Sequence, residues 1–240
     1  MGCASYARSS ISSKAAATFA PETAPSAGAP TTSIGILGGM FNPPHVAHLA
    51  LAHAAVSDLG LERVLLTPVL IPPHKPAKWD PGAEHRLRMC SLAVQGDPQL
   101  GICKLELERP GPSYTIDTLR SIHASEPDAE LILIVGADMA RTLGCWREPQ
   151  EILKLARLAV AGREGSSRRE VLDALAPLGG EDRTVFLDMP RLDVSSSLVR
   201  RRLTSGAPID ELVGPAVARY ISEHELYGRQ PIGRTQEAGW

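Results

Sequence analysis

The feature that most constrains the fold is an unbroken apolar run at residues 131–135, which reads Leu-Ile-Leu-Ile-Val. A run of this kind is typical of a strand that is buried on both faces of a parallel sheet. Shorter strand-like runs alternate with helical patterns along the chain on either side of it. This alternation predicts an α/β fold with a doubly wound parallel sheet, and ligands should bind at the carboxyl ends of its strands.

The pattern also predicts where each element lies. We expect strands at 34–37, 64–70, 102–107, 131–135, 158–161 and 184–187. We expect helices at 43–59, 83–94, 114–124, 148–155, 168–175, 196–203 and 215–223. Residues 34–228 should form a single domain that closes with C-terminal helices. Residues 1–33, rich in Ala, Ser, Thr and Pro, are expected to be a disordered extension, and residues 229–240 a flexible tail.

Composition excludes several classes of function. The formal net charge of −2 argues against a dominant nucleic-acid-binding surface. No apolar stretch is long enough to cross a membrane. The cysteines are scattered without a Cys-x-x-Cys pair, so neither a zinc site nor a disulfide framework is expected. These features are typical of a cytoplasmic protein.

A first candidate site lies at residues 38–48, which read Gly-Gly-Met-Phe-Asn-Pro-Pro-His-Val-Ala-His. A glycine pair directly after a strand lets the backbone turn tightly and approach a ligand. Asn42 and Pro43 are favoured at a helix N-cap and first helical position, and a helix N-terminus is a ready anion site. His45 and His48 share one helix face and could donate to phosphate oxygens. Taken alone, the pair could equally be two ordinary helix histidines.

A second candidate site is the serine run at 195–197, which precedes an apolar helical pattern that contains Arg200. One serine can cap the helix and the others can face an anion. Arg200 lies about one turn into the helix and could reach back to a polyphosphate. In isolation, such a run is more often a plain helix cap.

The two segments resemble the signatures of the nucleotidylyltransferase superfamily, approximately G-G-T/S-F-D/N-P-x-H-x-G-H and I-S-S-T-x-I-R. Met40 stands at the usual Thr or Ser position, and Ala47 at the usual Gly position. Both histidines and the arginine are present. The resemblance implies a Rossmann-like nucleotidylyltransferase fold.

Further segments are similar to the bacterial nicotinate-nucleotide adenylyltransferase family. They are Pro-Pro-His-Lys at 72–75, Ser-Tyr-Thr at 113–115, Gly-Ala-Asp at 136–138 followed by Trp146, and the closing helix with Val217 and Tyr220. The resemblance runs from about residue 34 to residue 227. Without it, these segments could be a rigid loop, a helix cap and a packed tryptophan.

The resemblance implies adenylyl transfer from ATP to nicotinate mononucleotide, giving deamido-NAD and pyrophosphate in NAD biosynthesis. The implied catalytic residues are His45, His48 and Arg200. The implied ATP-binding residues are Gly38, Gly39, Met40, Phe41, Lys75, Ser195, Ser196 and Ser197. The implied nicotinate mononucleotide-binding residues are Asn42, Thr115, Asp138, Trp146 and Arg147. Mg²⁺ is expected to arrive with ATP rather than in a protein site, and assembly into a homo-oligomer stays open.

Two alternatives remain at this point. The acceptor could be nicotinamide mononucleotide or another phosphorylated compound, because a carboxylate can be recognised by backbone N–H groups alone. The chain could also be a non-catalytic nucleotide-binding regulator, which the changes at Met40 and Ala47 would favour. The intact His45, His48 and Arg200 argue against the regulator.

Overall fold

The computed structural model describes residues 32–72, 79–162, 168–189 and 192–228. The expected tails at 1–33 and 229–240 therefore lie outside the described residues, except that Thr32 and Ser33 already belong to the first strand. Lys75 also lies outside them.

The described chain forms a parallel sheet of six strands, which confirms the predicted fold class. The spatial order of the strands is β3-β2-β1-β4-β5-β6. Their bounds are β1 Thr32–Gly39, β2 Arg63–Pro68, β3 Leu100–Ile102, β4 Ala129–Gly136, β5 Ala156–Ala161 and β6 Thr184–Leu187. Because β1 and β4 are neighbours, the strand order reverses between them, and their carboxyl ends frame the crevice where ligands of such sheets bind.

Helices connect the strands and close the chain. Their bounds are α1 Val46–Leu59, α2 Ala83–Ala93, α3 Leu105–Glu108, α4 Thr115–Ser125, α5 Ala137–Arg141, α6 Pro149–Leu155, α7 Arg168–Leu175, α8 Ser196–Thr204, α9 Asp210–Val213 and α10 Pro215–Glu223. Short 3₁₀ turns lie at Leu143–Cys145, Ala176–Leu178 and Glu181–Arg183. None of the helices in the described part of the chain has the length and apolarity needed to cross a lipid bilayer.

Strand β4 is buried on both faces, as its apolar run predicts. Leu131 and Leu133 pack into a core shared with helices α4, α6 and α7. Ile132 and Ile134 point the other way, into a core shared with α1 and α2. A third cluster joins α8, α9 and α10 to Met89 of α2, so the C-terminal helices pack onto the helix layer beside the sheet.

Two sequence predictions are wrong in detail. Helix α1 begins at Val46, with His45 as its N-cap, and not at Pro43 with Asn42 as cap. Pro44 explains this difference, because a residue that precedes proline is driven out of the helical region and Pro43 therefore cannot start the helix.

The predicted strand at 102–107 is also wrong beyond its first residue. Strand β3 ends at Ile102, and Leu105–Glu108 form the short helix α3. The Leu-Glu-Leu-Glu alternation fits one helical turn as well as a strand over so few residues. The helical turn buries Glu106, whose carboxylate accepts a hydrogen bond of 2.9 Å from the Thr118 hydroxyl.

Candidate active site

The candidate site begins at the carboxyl end of β1, where residues 40–45 lead into α1; we call them the 40–45 loop. Phe41 is buried in this loop with a positive φ of 46°, and its ring lies 3.3 Å from where a Cβ on Gly39 would be. A Cβ on exposed Gly38 would meet nothing within 4 Å. The backbone at Gly38 is therefore open to an incoming ligand.

Arg86 of α2 holds the beginning of the 40–45 loop by hydrogen bonds. Its guanidinium is fully buried and pairs with Asp80 at 2.9 Å. It also donates to the carbonyl oxygen of Met40 at 3.1 Å and to that of Leu70 at 3.5 Å. A buried charge needs such partners to offset the loss of water. Arg86 therefore ties the loop after β1 to the chain that follows β2.

The serine run at 195–197 and Arg200 hold the other end of the 40–45 loop. Arg200 of α8 donates to the carbonyl oxygen of Asn42 at 2.5 Å and to the Ser197 hydroxyl at 3.1 Å. The Ser196 hydroxyl donates to the carbonyl oxygen of Pro43 at 2.8 Å. Ser195 caps α8 by accepting from the Leu198 N–H at 3.2 Å. The two motifs, far apart in sequence, are therefore in direct contact.

The two predicted histidines are stacked, with ring centroids 3.7 Å apart. Nδ1 of His48 accepts the backbone N–H of His45 at 3.2 Å, so a neutral His48 carries its proton on Nε2. Burial lowers the pKa of His45 to about 4. Burial, with a smaller contribution from the charge of His45, lowers the pKa of His48 to about 3. Both rings are therefore neutral near pH 7.

A neutral imidazole at this place is a hydrogen-bond donor and not a cation. His48 can offer Nε2–H to an oxygen atom without a competing protonation near neutral pH. Nδ1 of His45 is buried and has no hydrogen-bond partner within the described residues. A buried polar atom without a protein partner is a position that a ligand or water can satisfy. The pair is therefore suited to a polar ligand at the start of α1.

A second group of predicted residues gathers around the start of α4. Thr115 is the first residue of this helix, whose opening N–H groups can bind an anion. The Arg147 guanidinium lies 4.8 Å from the centre of the Tyr114 ring. It also lies 3.8 Å from the Asp117 carboxylate and 3.7 Å from that of Glu148. Arg147 thus places a cation beside the N-terminus of α4.

Asp138 and Trp146 come from the chain that follows β4. Asp138 lies in the first turn of α5, directly after the strand, and forms an ion pair of 2.7 Å with Arg141. Trp146 is half-buried against the core, and its indole N–H donates to the Thr142 hydroxyl at 3.3 Å. Both residues therefore belong to the segment that leaves the carboxyl end of β4, the strand next to β1.

A buried polar cluster supports the start of α4. Besides accepting from Thr118, Glu106 has a second carboxylate oxygen, which is buried without a hydrogen bond in the described residues. Arg109 donates to the carbonyl oxygen of Tyr114 at 3.4 Å and to the Thr118 hydroxyl at 3.3 Å. Burial raises the pKa of Glu106, against the effect of these neighbours.

Sequence reasoning missed three residues that shape the site. Arg86 holds the 40–45 loop and is itself paired with Asp80, but charged residues in or just before a helix normally suggest a solvated surface. Tyr227, near the end of the described chain, donates from its hydroxyl to Oδ1 of Asn42 at 2.7 Å. The family resemblance extends to Tyr227, but nothing in the local sequence indicates a contact with Asn42.

This fold and site define a nucleotidyltransferase of the Rossmann-like class, and comparison with known proteins agrees. Residues 36–202 match the cytidylyltransferase-like family. A probable nicotinate-nucleotide adenylyltransferase of Dehalococcoides mccartyi is 41% identical over 199 residues, covering 82% of this chain and 97% of the relative. One of Symbiobacterium thermophilum is 39% identical over 198 residues, covering 82% of this chain and 95% of the relative.

Solved structures show the same fold at lower identity. A Plasmodium falciparum nicotinic acid mononucleotide adenylyltransferase complexed with NaAD superimposes with a TM-score of 0.66 at 19% identity, covering 82% of this chain and 97% of that one. The same protein complexed with APC gives a TM-score of 0.64 at 18% identity. The chain belongs to the cytidylyltransferase-like family and, within it, to the nicotinate-nucleotide adenylyltransferases.

Proposed function

We propose that the protein transfers the adenylyl group of ATP to nicotinate mononucleotide, forming deamido-NAD and releasing pyrophosphate. The observation that carries the proposal is the pair of stacked, neutral histidines at the start of α1, of which His45 is buried and His48 half-buried. The loop that leads into them is held by α8, and the backbone at Gly38 is open. The names of the relatives support this assignment, and so do the complexes of the Plasmodium falciparum protein with NaAD and APC.

In this reaction an oxygen of the acceptor's 5′-phosphate attacks the α-phosphorus of ATP. The new bond joins that oxygen to the α-phosphorus, and the bond between the α-phosphorus and the bridging oxygen to the β-phosphorus breaks. The nucleophile is already an anion near pH 7, so no strong general base is required. Catalysis then rests on positioning and on charge stabilisation.

The histidines supply donors to the reacting phosphate in this scheme. His48 offers Nε2–H, because its Nδ1 is occupied by the backbone of the 40–45 loop. A neutral donor that is already oriented needs no reorganisation when negative charge builds up on the α-phosphate oxygens. We assign His45 the same role from the adjacent, stacked position.

Arg200 and the serines at 195–197 would hold the β- and γ-phosphates and the departing pyrophosphate. Arg200 uses two N–H contacts on Asn42 and Ser197, and a guanidinium has five donors in total, so it keeps donors for phosphate. The Ser196 hydroxyl already donates to Pro43, so we expect its backbone N–H to face the anion. Lys75 and the backbone of residues 38–41 complete the proposed ATP site.

The proposed acceptor site lies around α4 and the chain after β4. The N-terminus of α4 at Thr115 and the Arg147 cation would hold the nicotinate carboxylate. Trp146 would stack on the pyridine ring, and Asp138 would bind the ribose hydroxyls. Asn42 would lie between the two substrates, since it belongs to the loop that carries the histidines.

Mg²⁺ belongs to this proposal as the partner of ATP. The described residues contain no group of three or more His, Cys, Asp or Glu side chains arranged to hold a metal ion. We expect the phosphates of ATP and water to hold the ion, as is usual for Mg²⁺ with nucleotides. When bound, Mg²⁺ would neutralise charge on the triphosphate. The cytoplasmic location expected from the scattered cysteines is part of the same proposal.

The test is pyrophosphate release by the purified wild type and by His48→Ala, with Mg-ATP and nicotinate mononucleotide. We expect His48→Ala to lower turnover at least ~10²-fold, as the loss of one transition-state donor does. His53→Ala is the matched control, because His53 lies on the same helix but is exposed and pairs with Asp97. Near-normal turnover in His48→Ala would refute the assignment.

The same assay separates the alternative functions. Release with nicotinamide mononucleotide at the same rate would support adenylyl transfer but contradict recognition of the nicotinate carboxylate around Thr115 and Trp146. Binding of ATP without release, with either acceptor, would favour a regulator that binds nucleotide.

A further inference from the structure

The C-terminal turn of the described chain reaches the 40–45 loop through the buried side chain of Tyr227. Tyr227 is 7% exposed, and its hydroxyl donates to Oδ1 of Asn42 at 2.7 Å. Burial raises the pKa of the Tyr227 phenol, so the hydroxyl keeps the proton that it donates. This contact joins residues that are separated by most of the chain length.

Asn42 uses both ends of its amide group. While Oδ1 accepts from Tyr227, Nδ2 donates to the carbonyl oxygen of Trp79 at 3.3 Å. Asn42 itself is 5% exposed. An Asp at this position could still accept from Tyr227 but, when ionised, could not donate to Trp79. The amide therefore joins the C-terminal turn, the 40–45 loop and the chain that leads into α2.

The backbone around this contact is held in an unusual conformation. Tyr227 has a φ of 62°, Trp79 of 60° and Phe41, next to Asn42, of 46°, all in the left-handed region that favours glycine. Such conformations persist only where the surrounding structure imposes them, and they gather at functional sites. Three of them meeting at one amide indicate that its position is tightly specified.

The contact between Tyr227 and Asn42 also lies in the loop that leads directly to the histidines. Asn42 is three residues before His45, and its own carbonyl oxygen accepts from Arg200. The backbone at Asn42 leads into His45, whose N–H in turn donates to Nδ1 of the His48 ring.

We propose that Tyr227 is a positioning residue for the transfer reaction, which acts through Asn42 to hold the 40–45 loop where it presents the histidine pair to ATP. This inference rests on the proposed function for its kinetic readout. Tyr227 does not touch the reacting atoms in this account; its hydroxyl fixes the loop that does.

The experiment compares wild type, Tyr227→Phe, Asn42→Ala and the double variant. We expect Tyr227→Phe to lower kcat about tenfold, because small displacements of a catalytic group are costly. The KM for nicotinate mononucleotide should stay within about twofold, since all of its proposed contacts except Asn42 lie on other elements. If Tyr227 acts through Asn42, the double variant should be no slower than Asn42→Ala alone, which is the non-additivity expected of residues in contact.

Tyr220→Phe is the matched control. Tyr220 lies on α10, and its hydroxyl is hydrogen-bonded to the His85 ring of α2 at 2.9 Å rather than to Asn42. We expect this variant to keep kcat within about twofold of wild type. Thermal unfolding of both variants separates lost packing from lost positioning. A lower melting temperature for Tyr227→Phe with unchanged kcat would overturn the proposal, and so would multiplicative effects in the double variant.

The affinity for Mg-ATP, measured by calorimetry, keeps the inference testable if the proposed function fails. Absence of pyrophosphate release by the wild type would count against the function and not against Tyr227. In that case a drop of about threefold or more in Mg-ATP affinity for Tyr227→Phe, with Tyr220→Phe unchanged, would support the loop-holding role. Equal affinities in both variants would overturn it.

Discussion

The neutral histidine pair makes a specific prediction about stability in acid. Because the native pKa values of His45 and His48 are lowered to about 4 and about 3, the unfolded chain binds protons below pH 6.5 that the native chain does not. The free energy of unfolding therefore falls as the pH drops from 6.5 towards 4. Above pH 6.5 the two histidines are neutral in both states, so they no longer lower the free energy of unfolding.

The expected size follows from the size of the shifts. At pH 5 an ordinary histidine is almost fully protonated, whereas both of these rings are neutral. Each histidine then lowers the free energy of unfolding by about 2 kcal/mol relative to pH 8, at about 1.4 kcal/mol for each pH unit below 6.5. The pair together accounts for about 4 kcal/mol.

Urea denaturation at pH 8 and pH 5 measures this contribution. The His45→Gln/His48→Gln double variant should lose about 4 kcal/mol less than wild type between the two pH values. His48→Gln alone should recover about half of that difference, which keeps the test available if the double variant folds poorly. His123→Gln, which changes an exposed helix position, should behave as wild type. An equal pH dependence of the free energy of unfolding in wild type and in both variants would refute the claim that the native structure keeps the two histidines neutral.

Three further predictions concern the two substrate sites and the sheet. Gly38→Ala should fold with an unchanged melting temperature but turn over more slowly, whereas Gly35→Ala should lower the melting temperature, because its Cβ would meet Val64 at 2.7 Å. A melting temperature of Gly35→Ala equal to that of wild type would contradict the close packing at Gly35. Arg200→Lys should lower kcat/KM for ATP about 10- to 100-fold in steady-state assays, since an ammonium cannot hold the loop and phosphate together; a loss under threefold would contradict this role. Trp146→Ala should raise the KM for nicotinate mononucleotide about tenfold or more and leave that for ATP unchanged, and parallel changes in both KM values would count against stacking.

The sequence predicts the sheet well because burial on both faces leaves a strong local signal. The 131–135 run becomes the centre of β4, and its alternate residues enter the two cores. The start of α1 is harder to predict, because Asn42 and Pro43 favour a helix start while Pro44 keeps Pro43 out of the helical region. Local preference thus located the helix correctly to within one turn.

The contacts that hold the site are much harder to predict. The loop is held by tertiary contacts from residues remote in sequence: Arg86, which pairs with Asp80, and Tyr227. The local sequence around these residues does not indicate the contacts. The stacked geometry of His45 and His48 follows from their spacing, but their neutrality follows from burial, which only the packed structure shows. The assigned substrate contacts remain predictions.

The most direct test of the whole account is pyrophosphate release with Mg-ATP, offered nicotinate mononucleotide and its amide in parallel to wild type and His48→Ala. We expect fast release with the acid form, little with the amide, and a loss of at least ~10²-fold in the variant. No release from the wild type with either acceptor, or normal release from His48→Ala, would contradict the account.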